Sequence, residues 1–360
     1  MKFTKYNSLE DILSYPNMKE YLKVFYSEFL LELYPKEAYA LPLARMEQIG
    51  ETPWEEPFFV VVDQLVDAAN LVLDIYENSA RELLSLWNPK EVWSLAKEKK
   101  CGKDAVFLVA PTQDALIKNN ILKKKERRPT VIICPGGGYE NVCFSGEGTP
   151  ILNFMEAKGY CAFILKYQVA PTAYPKPQED LALAVKYVRA NAAAYCADPD
   201  NIMILGASAG GHLCASEAAL HEEVGALVDR ELAKADDPDA ALLLGVSARP
   251  DKVCLCYPVI SFIEQPHEGS ALALAGEDTL LRDRLSVERL VTPDYPPAFV
   301  WACDDDDCVP PSNARRMAQA LEKAHVRHEL HLYPDGGHGC GLAFSKSAHD
   351  WSRQMIEFMA

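Results

Sequence analysis

The chain has 360 residues, of which 49% are hydrophobic and 24% are charged, a composition typical of a globular protein. Its 36 basic and 52 acidic side chains give a formal net charge of −16. This balance argues against a nucleic-acid or anionic-membrane partner, because either requires a basic patch. The apolar runs are shorter than the roughly 18 residues of a membrane helix, and the first residues lack the apolar core of a signal peptide. We therefore expect a cytoplasmic protein.

The eleven cysteines are scattered and odd in number, unlike the framework of a small disulfide-stapled protein. Cys303, Cys308 and Cys340 occur in the same part of the chain as His338. They lack the paired C-x-x-C spacing of a zinc site. The sequence thus predicts reduced, mostly buried thiols and no metal.

Region 1–100 has the periodicity of helices. Apolar residues at 3.6-residue spacing predict a helix that ends before Pro35, and the acidic, proline-containing segment 53–57 is typical of the start of another. The predicted helices are 18–33, 58–76, 80–86 and 90–97. No catalytic constellation occurs here. We interpret the region as a helical cap or an oligomerisation segment, with a lid that contacts substrate as the alternative.

From about residue 101, short β-rich runs alternate with helical stretches. The predicted strands are 105–110, 130–134, 161–166, 202–205, 252–257, 298–302 and 328–333. The predicted helices are 150–158, 178–194, 211–220, 312–324 and 348–359. This alternation predicts an α/β domain over 101–360, with a mostly parallel central sheet flanked by helices. Such sheets carry their sites at the carboxyl ends of the strands.

Residues 206–210, Gly-Ala-Ser-Ala-Gly, follow a predicted strand and match the pattern G-x-S-x-G. Small residues around Ser208 allow a strained turn that pushes the hydroxyl outward, between a strand and a helix. The helix directs its N-terminal N–H groups at any oxyanion formed there. The pattern is frequent by chance, but its context supports Ser208 as a nucleophile.

Three glycines, 136–138, follow another predicted strand, so their N–H groups can approach a ligand closely. No Gly-Lys-Ser/Thr follows, which excludes a phosphate loop. The position fits an oxyanion hole formed by the N–H groups of Gly137, Gly138 and Ala209. A plain glycine-rich turn is the alternative. The next residue, Tyr139, is a candidate for substrate binding.

The general base is expected to be His338, because glycines on both sides let its imidazole reach Ser208. His267 is a weaker second candidate, and His212 is interpreted as a helix-packing residue. An acid should orient the imidazole and stabilise its cationic form. The run 304–307 offers four aspartates, among which local chemistry does not choose.

With its nucleophile, acid and histidine in that order, the chain resembles the α/β-hydrolase superfamily. Residues from about 103 to 360 are most similar to bacterial carbohydrate acetyl-esterases and xylan-esterase-like proteins. The matching stretches are 134–139, 167–175, 206–213, 256–261 and 333–339. In that group the acid is the first residue of a D-x-x-V-P pattern. The resemblance therefore assigns the role of the acid to Asp306. Pro135 departs from the H-G-G-G form of the group, and the first 100 residues have no counterpart in it.

The resemblance implies a serine esterase that acts on short-chain acyl esters, above all acetyl esters, of carbohydrates or small molecules. Ser208 would attack the ester, His338 would take its proton, and Asp306 would hold the ring. No metal or organic cofactor is needed. The enzyme alternative is a prolyl-oligopeptidase-like peptidase, although such peptidases usually carry a β-propeller that region 1–100 cannot form. The other alternative is an inactive hydrolase-fold binding protein, against which the intact constellation argues.

Overall fold

A computed structural model describes residues 2–53, 57–88, 90–91, 93–95, 102–124, 126–235 and 237–360. The strands are β1 Arg81–Ser85, β2 Phe107–Pro111, β3 Arg128–Cys134, β4 Cys161–Lys166, β5 Ala197–Ala207, β6 Lys252–Cys256, β7 Ala298–Cys303 and β8 His328–Tyr333. The helices before β3 are α1 Leu9–Ser14, α2 Met18–Phe25, α3 Glu28–Glu32, α4 Leu43–Ile49, α5 Phe58–Tyr76, α6 Gln113–Lys118 and α7 Ile121–Lys124. The later helices are α8 Thr149–Ala157, α9 Lys176–Ala190, α10 Ala192–Tyr195, α11 Ala209–Leu232, α12 Pro238–Ala241, α13 Glu268–Ala275, α14 Thr279–Arg284, α15 Ser312–Lys323 and α16 Trp351–Met359.

The strands of the described residues form one sheet in the order β1-β2-β4-β3-β5-β6-β7-β8. All neighbours from β4 to β8 are parallel, whereas β2 pairs antiparallel with both β1 and β4. The central strands are apolar along almost their whole length, as expected where helices cover both faces of a parallel sheet. The predicted α/β class, with its mostly parallel sheet and flanking helices, is confirmed.

The prediction of a helix over 80–86 is wrong, because residues 81–85 form strand β1. Arg81 pairs with Pro111 and Ser85 with Phe107, and burial alternates along the strand. A five-residue segment takes its conformation from such pairing rather than from its own propensity. The other helix predicted nearby, over 90–97, falls partly outside the described residues.

Two other predicted helices are divided in the structure. The helix predicted over 18–33 breaks into α2 and α3 at Tyr26, whose hydroxyl donates to the carbonyl of Val61 on α5 at 3.1 Å. The helix predicted over 178–194 breaks at Asn191, which ends α9 and precedes α10. In contrast, α5 has the predicted bounds. Tertiary contacts and capping residues therefore determine helix ends that hydrophobic periodicity alone does not predict.

The N-terminal helices share one hydrophobic core with the sheet. The ring of Phe25 on α2 packs edge-on against Phe144 at 5.2 Å and against Phe107 of β2 at 6.4 Å. The division of the chain into a helical region 1–100 and an α/β domain 101–360 remains a prediction. Among the described residues, no helix combines the length and apolar character that crossing a membrane requires.

Candidate active site

Ser208 occupies the sharp turn between β5 and α11. Its φ of 53° and ψ of −121° are strained for a residue with a side chain. Its N–H donates to the carbonyl of Cys256 at 3.0 Å, which fixes the turn to the neighbouring strand. A Cβ at Gly210 would overlap the carbonyl oxygen of Cys134, so α11 approaches β3 closely only with a glycine here. The predicted strand–turn–helix surroundings of Ser208 are present.

His338 and Asp306 lie in line with this serine. The Nε2 atom of His338 is 2.8 Å from Ser208 Oγ, and its Nδ1 atom is 2.7 Å from Asp306 Oδ2. A carboxylate only accepts, so Nδ1 carries the proton and Nε2 is free to accept from the serine hydroxyl. The structure thus brings the three predicted side chains together in two consecutive hydrogen bonds.

The four aspartates of the run 304–307 lie in different environments. Asp306 has a fully buried carboxylate, whose Oδ1 accepts the N–H groups of Cys308 at 3.0 Å and Val309 at 2.9 Å. Asp304 pairs with Arg315, and Asp305 accepts the N–H groups of residues 336 and 337. Asp307 is exposed. The geometry therefore selects the aspartate to which the resemblance pointed.

Two of the three predicted oxyanion donors line a cavity at Ser208. Gly137 and Gly138 line its wall together with Ser208. Ala209 is the first residue of α11, and the first N–H groups of a helix have no acceptor within the helix. These positions are compatible with the predicted donors, and their role remains part of the proposal below.

Tyr139 has a different place from the one predicted. Its side chain is fully buried, and its hydroxyl donates to Nδ1 of His212 at 2.9 Å. The other ring nitrogen of His212 donates to the carbonyl of Leu285 at 2.9 Å, and burial lowers the pKa of His212 to about 4. A side chain without exposed surface cannot contact a bound ester. Tyr139 is therefore corrected from a substrate-binding to a packing residue, and His212 packs as expected.

A cavity of about 810 Å³ surrounds Ser208. One side is formed by the N-terminal helical region, through Ser27, Leu30, Val61 and Gln64. Sequence reasoning could not predict which residues of that region approach the site, because helical periodicity identifies a buried face and not its partner. These helices therefore form a wall of the cavity, and their contact with a substrate stays a prediction.

His267, the second candidate for the base, lines the same cavity. Its Nδ1 accepts the N–H of Ser270 at 3.2 Å and so caps α13. Burial lowers the pKa of His267, and the nearby His338 lowers it further. The imidazole bonded to Ser208 is that of His338.

Sequence reasoning missed Glu147, which is buried and lines the cavity. Its Oε2 accepts the N–H of Gly136 at 2.7 Å, and its Oε1 accepts the hydroxyl of Tyr257 at 2.9 Å. Burial raises the pKa of Glu147, whereas His338 and the two hydrogen bonds oppose the rise. The available signal was a single acid between two glycines in the short stretch Phe144–Gly148 before α8.

The sheet and the turn that carries Ser208 define an α/β-hydrolase. Within this class, the chain belongs to the BD-FAE family, whose profile matches residues 119–321. The resemblance to α/β-hydrolase esterases that the sequence predicted is confirmed.

The chain is similar to two curated bacterial proteins and to a solved structure from Caldicellulosiruptor lactoaceticus. Endo-1,4-beta-xylanase B of Butyrivibrio fibrisolvens is 30% identical over 73% of this chain and 39% of its own length. An acetylxylan esterase of Xylanibacter ruminicola is 26% identical over 61% of this chain and 42% of its own length. The chain therefore spans about two fifths of these relatives. The solved structure, an acetyl ester-xyloside bifunctional hydrolase, is 32% identical with a TM-score of 0.61, and the match covers 77% of this chain and 97% of that one.

Proposed function

We propose that the protein is a serine carboxylic-ester hydrolase that removes short acyl groups, above all acetyl, from carbohydrate esters. The observation that carries this proposal is the line of two hydrogen bonds from Ser208 through His338 to Asp306. That arrangement is the geometry by which a hydroxyl becomes a nucleophile at neutral pH.

In the first half of the reaction, Ser208 Oγ attacks the ester carbonyl carbon while its proton passes to Nε2 of His338. The imidazolium that forms is stabilised by the carboxylate of Asp306. The carbonyl oxygen becomes an oxyanion, which accepts from the N–H groups of Gly137, Gly138 and Ala209. Each such donor contributes about 2.7–4 kcal/mol to transition-state stabilisation. His338 then returns the proton to the departing alcohol, which leaves an acyl-serine.

In the second half, water replaces the alcohol. His338 takes a proton from the water as it attacks the acyl carbonyl, and the same N–H groups hold the second oxyanion. Collapse releases the carboxylic acid, and the proton on Nε2 returns to Ser208 Oγ. The cycle balances without any other reactant.

The cavity supports a substrate larger than a simple acetyl ester. Its volume of about 810 Å³ lies within the range of roughly 300–1,000 Å³ that encloses whole small-molecule ligands. The wall combines apolar groups such as Leu30 with polar ones such as Gln64 and Lys346. Both types of contact suit a sugar ring, and the similarity to an acetylxylan esterase and to an acetyl ester-xyloside hydrolase supports acetylated carbohydrates. In this proposal the N-terminal helices form a fixed cap over the alcohol part of the ester.

The test is a rate profile over acetyl, butyryl, feruloyl and acetylated xylooligosaccharide esters, with aminoacyl amides as the peptidase substrates. We expect acetyl esters to be the fastest, and Ser208→Ala to lower kcat by about 10⁶, the scale seen for such nucleophiles. The matched control is Ser216→Ala, which removes a buried hydroxyl from the same helix. A fluorophosphonate should label Ser208. Near-normal hydrolysis by Ser208→Ala, or faster cleavage of the amides, would contradict the proposal.

A further inference from the structure

Glu147 is a fully buried carboxylate that the mechanism above does not use. It lies in the short π-helical turn Phe144–Gly148, which directly precedes α8. The titratable groups that interact with it electrostatically are His338, Tyr167, Tyr257, Cys143, Cys256 and Cys340. Of these, His338 is the group that becomes cationic during the proposed reaction.

The hydrogen bonds of Glu147 connect two loops of the site. Its Oε2 holds the N–H of Gly136, the residue before the proposed oxyanion donors. Its Oε1 holds the hydroxyl of Tyr257, and the oxygen of that hydroxyl accepts the N–H of Gly341 at 3.0 Å. Gly341 stands three residues after His338, and the Tyr257 ring packs 5.1 Å from the imidazole. One carboxylate thus connects the glycine turn to the histidine loop.

The directions of these hydrogen bonds favour the ionised form of the Glu147 side chain. A backbone N–H only donates, so Gly136 requires an acceptor at Oε2 and Gly341 requires one at the tyrosine oxygen. The hydroxyl proton of Tyr257 then points to Oε1. Both carboxyl oxygens therefore accept a hydrogen bond, an arrangement that stabilises the ionised form against the burial that raises the pKa of Glu147.

We propose that Glu147 is a positioning residue, which aligns the oxyanion turn with His338 and holds a negative charge beside the imidazole. An uncharged side chain could make similar links without the cost of burying a charge. A fixed negative charge stabilises a positive charge that develops near it, and the proposed reaction creates one on His338. This inference rests on the proposed function, because it assigns the imidazolium to catalysis.

Two variants separate the charge from the links. Glu147→Gln keeps an acceptor for Gly136 and a similar shape but removes the charge, whereas Glu147→Ala removes both links. Glu217→Gln is the matched control, since Glu217 is fully buried on α11 and does not line the cavity in the described part of the chain. The measurements are kcat and KM for a small acetyl ester between about pH 5 and pH 9, where a histidine base titrates.

For Glu147→Gln, we expect kcat to fall about tenfold with KM changed less than about twofold, because the lost interaction stabilises the transition state. The acid limb of kcat/KM should move down by about one pH unit, because an imidazole without the neighbouring negative charge protonates less readily. Glu147→Ala should lose about 100-fold or more in kcat, the scale of a misplaced oxyanion donor. Glu217→Gln should keep both the rate and the acid limb.

An unchanged acid limb in Glu147→Gln would overturn the inference, as would an equal shift in Glu217→Gln. Equal losses in both Glu147 variants at an unchanged acid limb would assign the residue to packing alone. Fluorophosphonate labelling gives the folded, reactive fraction of each variant, so rates are compared per active site. If Glu147→Ala does not fold, the pH profile of Glu147→Gln decides. The proposed function fails separately, through activity in Ser208→Ala.

Discussion

Replacing Asp306 by asparagine tests the acid that the structure selects. Its Oδ1 accepts two backbone N–H groups, from Cys308 and Val309, while Oδ2 faces His338. In Asp306→Asn, the amide oxygen can satisfy either the two N–H groups or the imidazole. Turning the NH₂ group towards the two buried N–H donors would leave both unsatisfied, at about 1–3 kcal/mol each. The oxygen therefore stays with the backbone, and the NH₂ group faces His338.

This orientation reverses the tautomer of the imidazole. Nδ1 must then accept from the NH₂ group, so the ring proton moves to Nε2, which can no longer take the proton of Ser208. The same substitution in a serine protease leaves the geometry intact and lowers kcat about 10⁴-fold. At about 1.36 kcal/mol for each factor of ten, we expect a barrier about 5.4 kcal/mol higher in Asp306→Asn.

The assay is steady-state hydrolysis of a small acetyl ester, corrected for folded enzyme by thermal unfolding. Asp305→Asn is the control, because the Asp305 carboxylate accepts the N–H groups of Gly336 and Gly337 in an exposed loop. We expect it to lose less than about tenfold, as for an exposed hydrogen bond. The reasoning is refuted if Asp306→Asn keeps more than a tenth of the wild-type kcat, or if both variants are equally impaired.

Two further predictions concern the elements around the site. Gly210→Ala should lower the free energy of unfolding by at least about 1–3 kcal/mol, because its Cβ would overlap the carbonyl of Cys134. Urea denaturation measures this free energy. Gly225→Ala on the same helix is the control and should change the free energy of unfolding by less than about 1 kcal/mol. Gln64→Ala should raise KM for acetylated xylooligosaccharides about tenfold, because it removes one polar contact with the sugar. It should leave KM for a small acetyl ester unchanged. Equal effects on both esters would remove Gln64 from the sugar-binding wall.

The strands and the serine turn could be predicted because their signals are local. Apolar runs bounded by turn residues fix β3 to β8 approximately, and steric crowding around Ser208 requires small neighbours wherever the turn occurs. The choice of Asp306 among the four aspartates does not follow from a local signal. Four identical neighbours have the same local chemistry, and the contact with His338, 32 residues along the chain, distinguishes them.

The failures also have physical causes. Tyr139 follows the glycine turn in sequence, but its positive φ of 62° belongs to a reversal of the chain, and its side chain is buried. β1 forms through pairing with β2, which a five-residue pattern does not reveal. Periodicity in the first hundred residues could not indicate that α5 forms part of the cavity wall. A cytoplasmic location, oligomerisation and the absence of nucleic-acid and membrane partners stay predictions.

The packing of Phe25 against Phe107 and Phe144 has a consequence for synthesis on the ribosome. The helices before β1 emerge before the sheet, so the surfaces that cover their apolar faces belong to residues made later. α2 cannot bury Phe25 fully until the chain beyond Phe144 has left the exit tunnel. Folding of multi-element chains during synthesis exposes such apolar faces transiently. We therefore expect chaperones to bind nascent chains in which Phe144 has not yet left the exit tunnel.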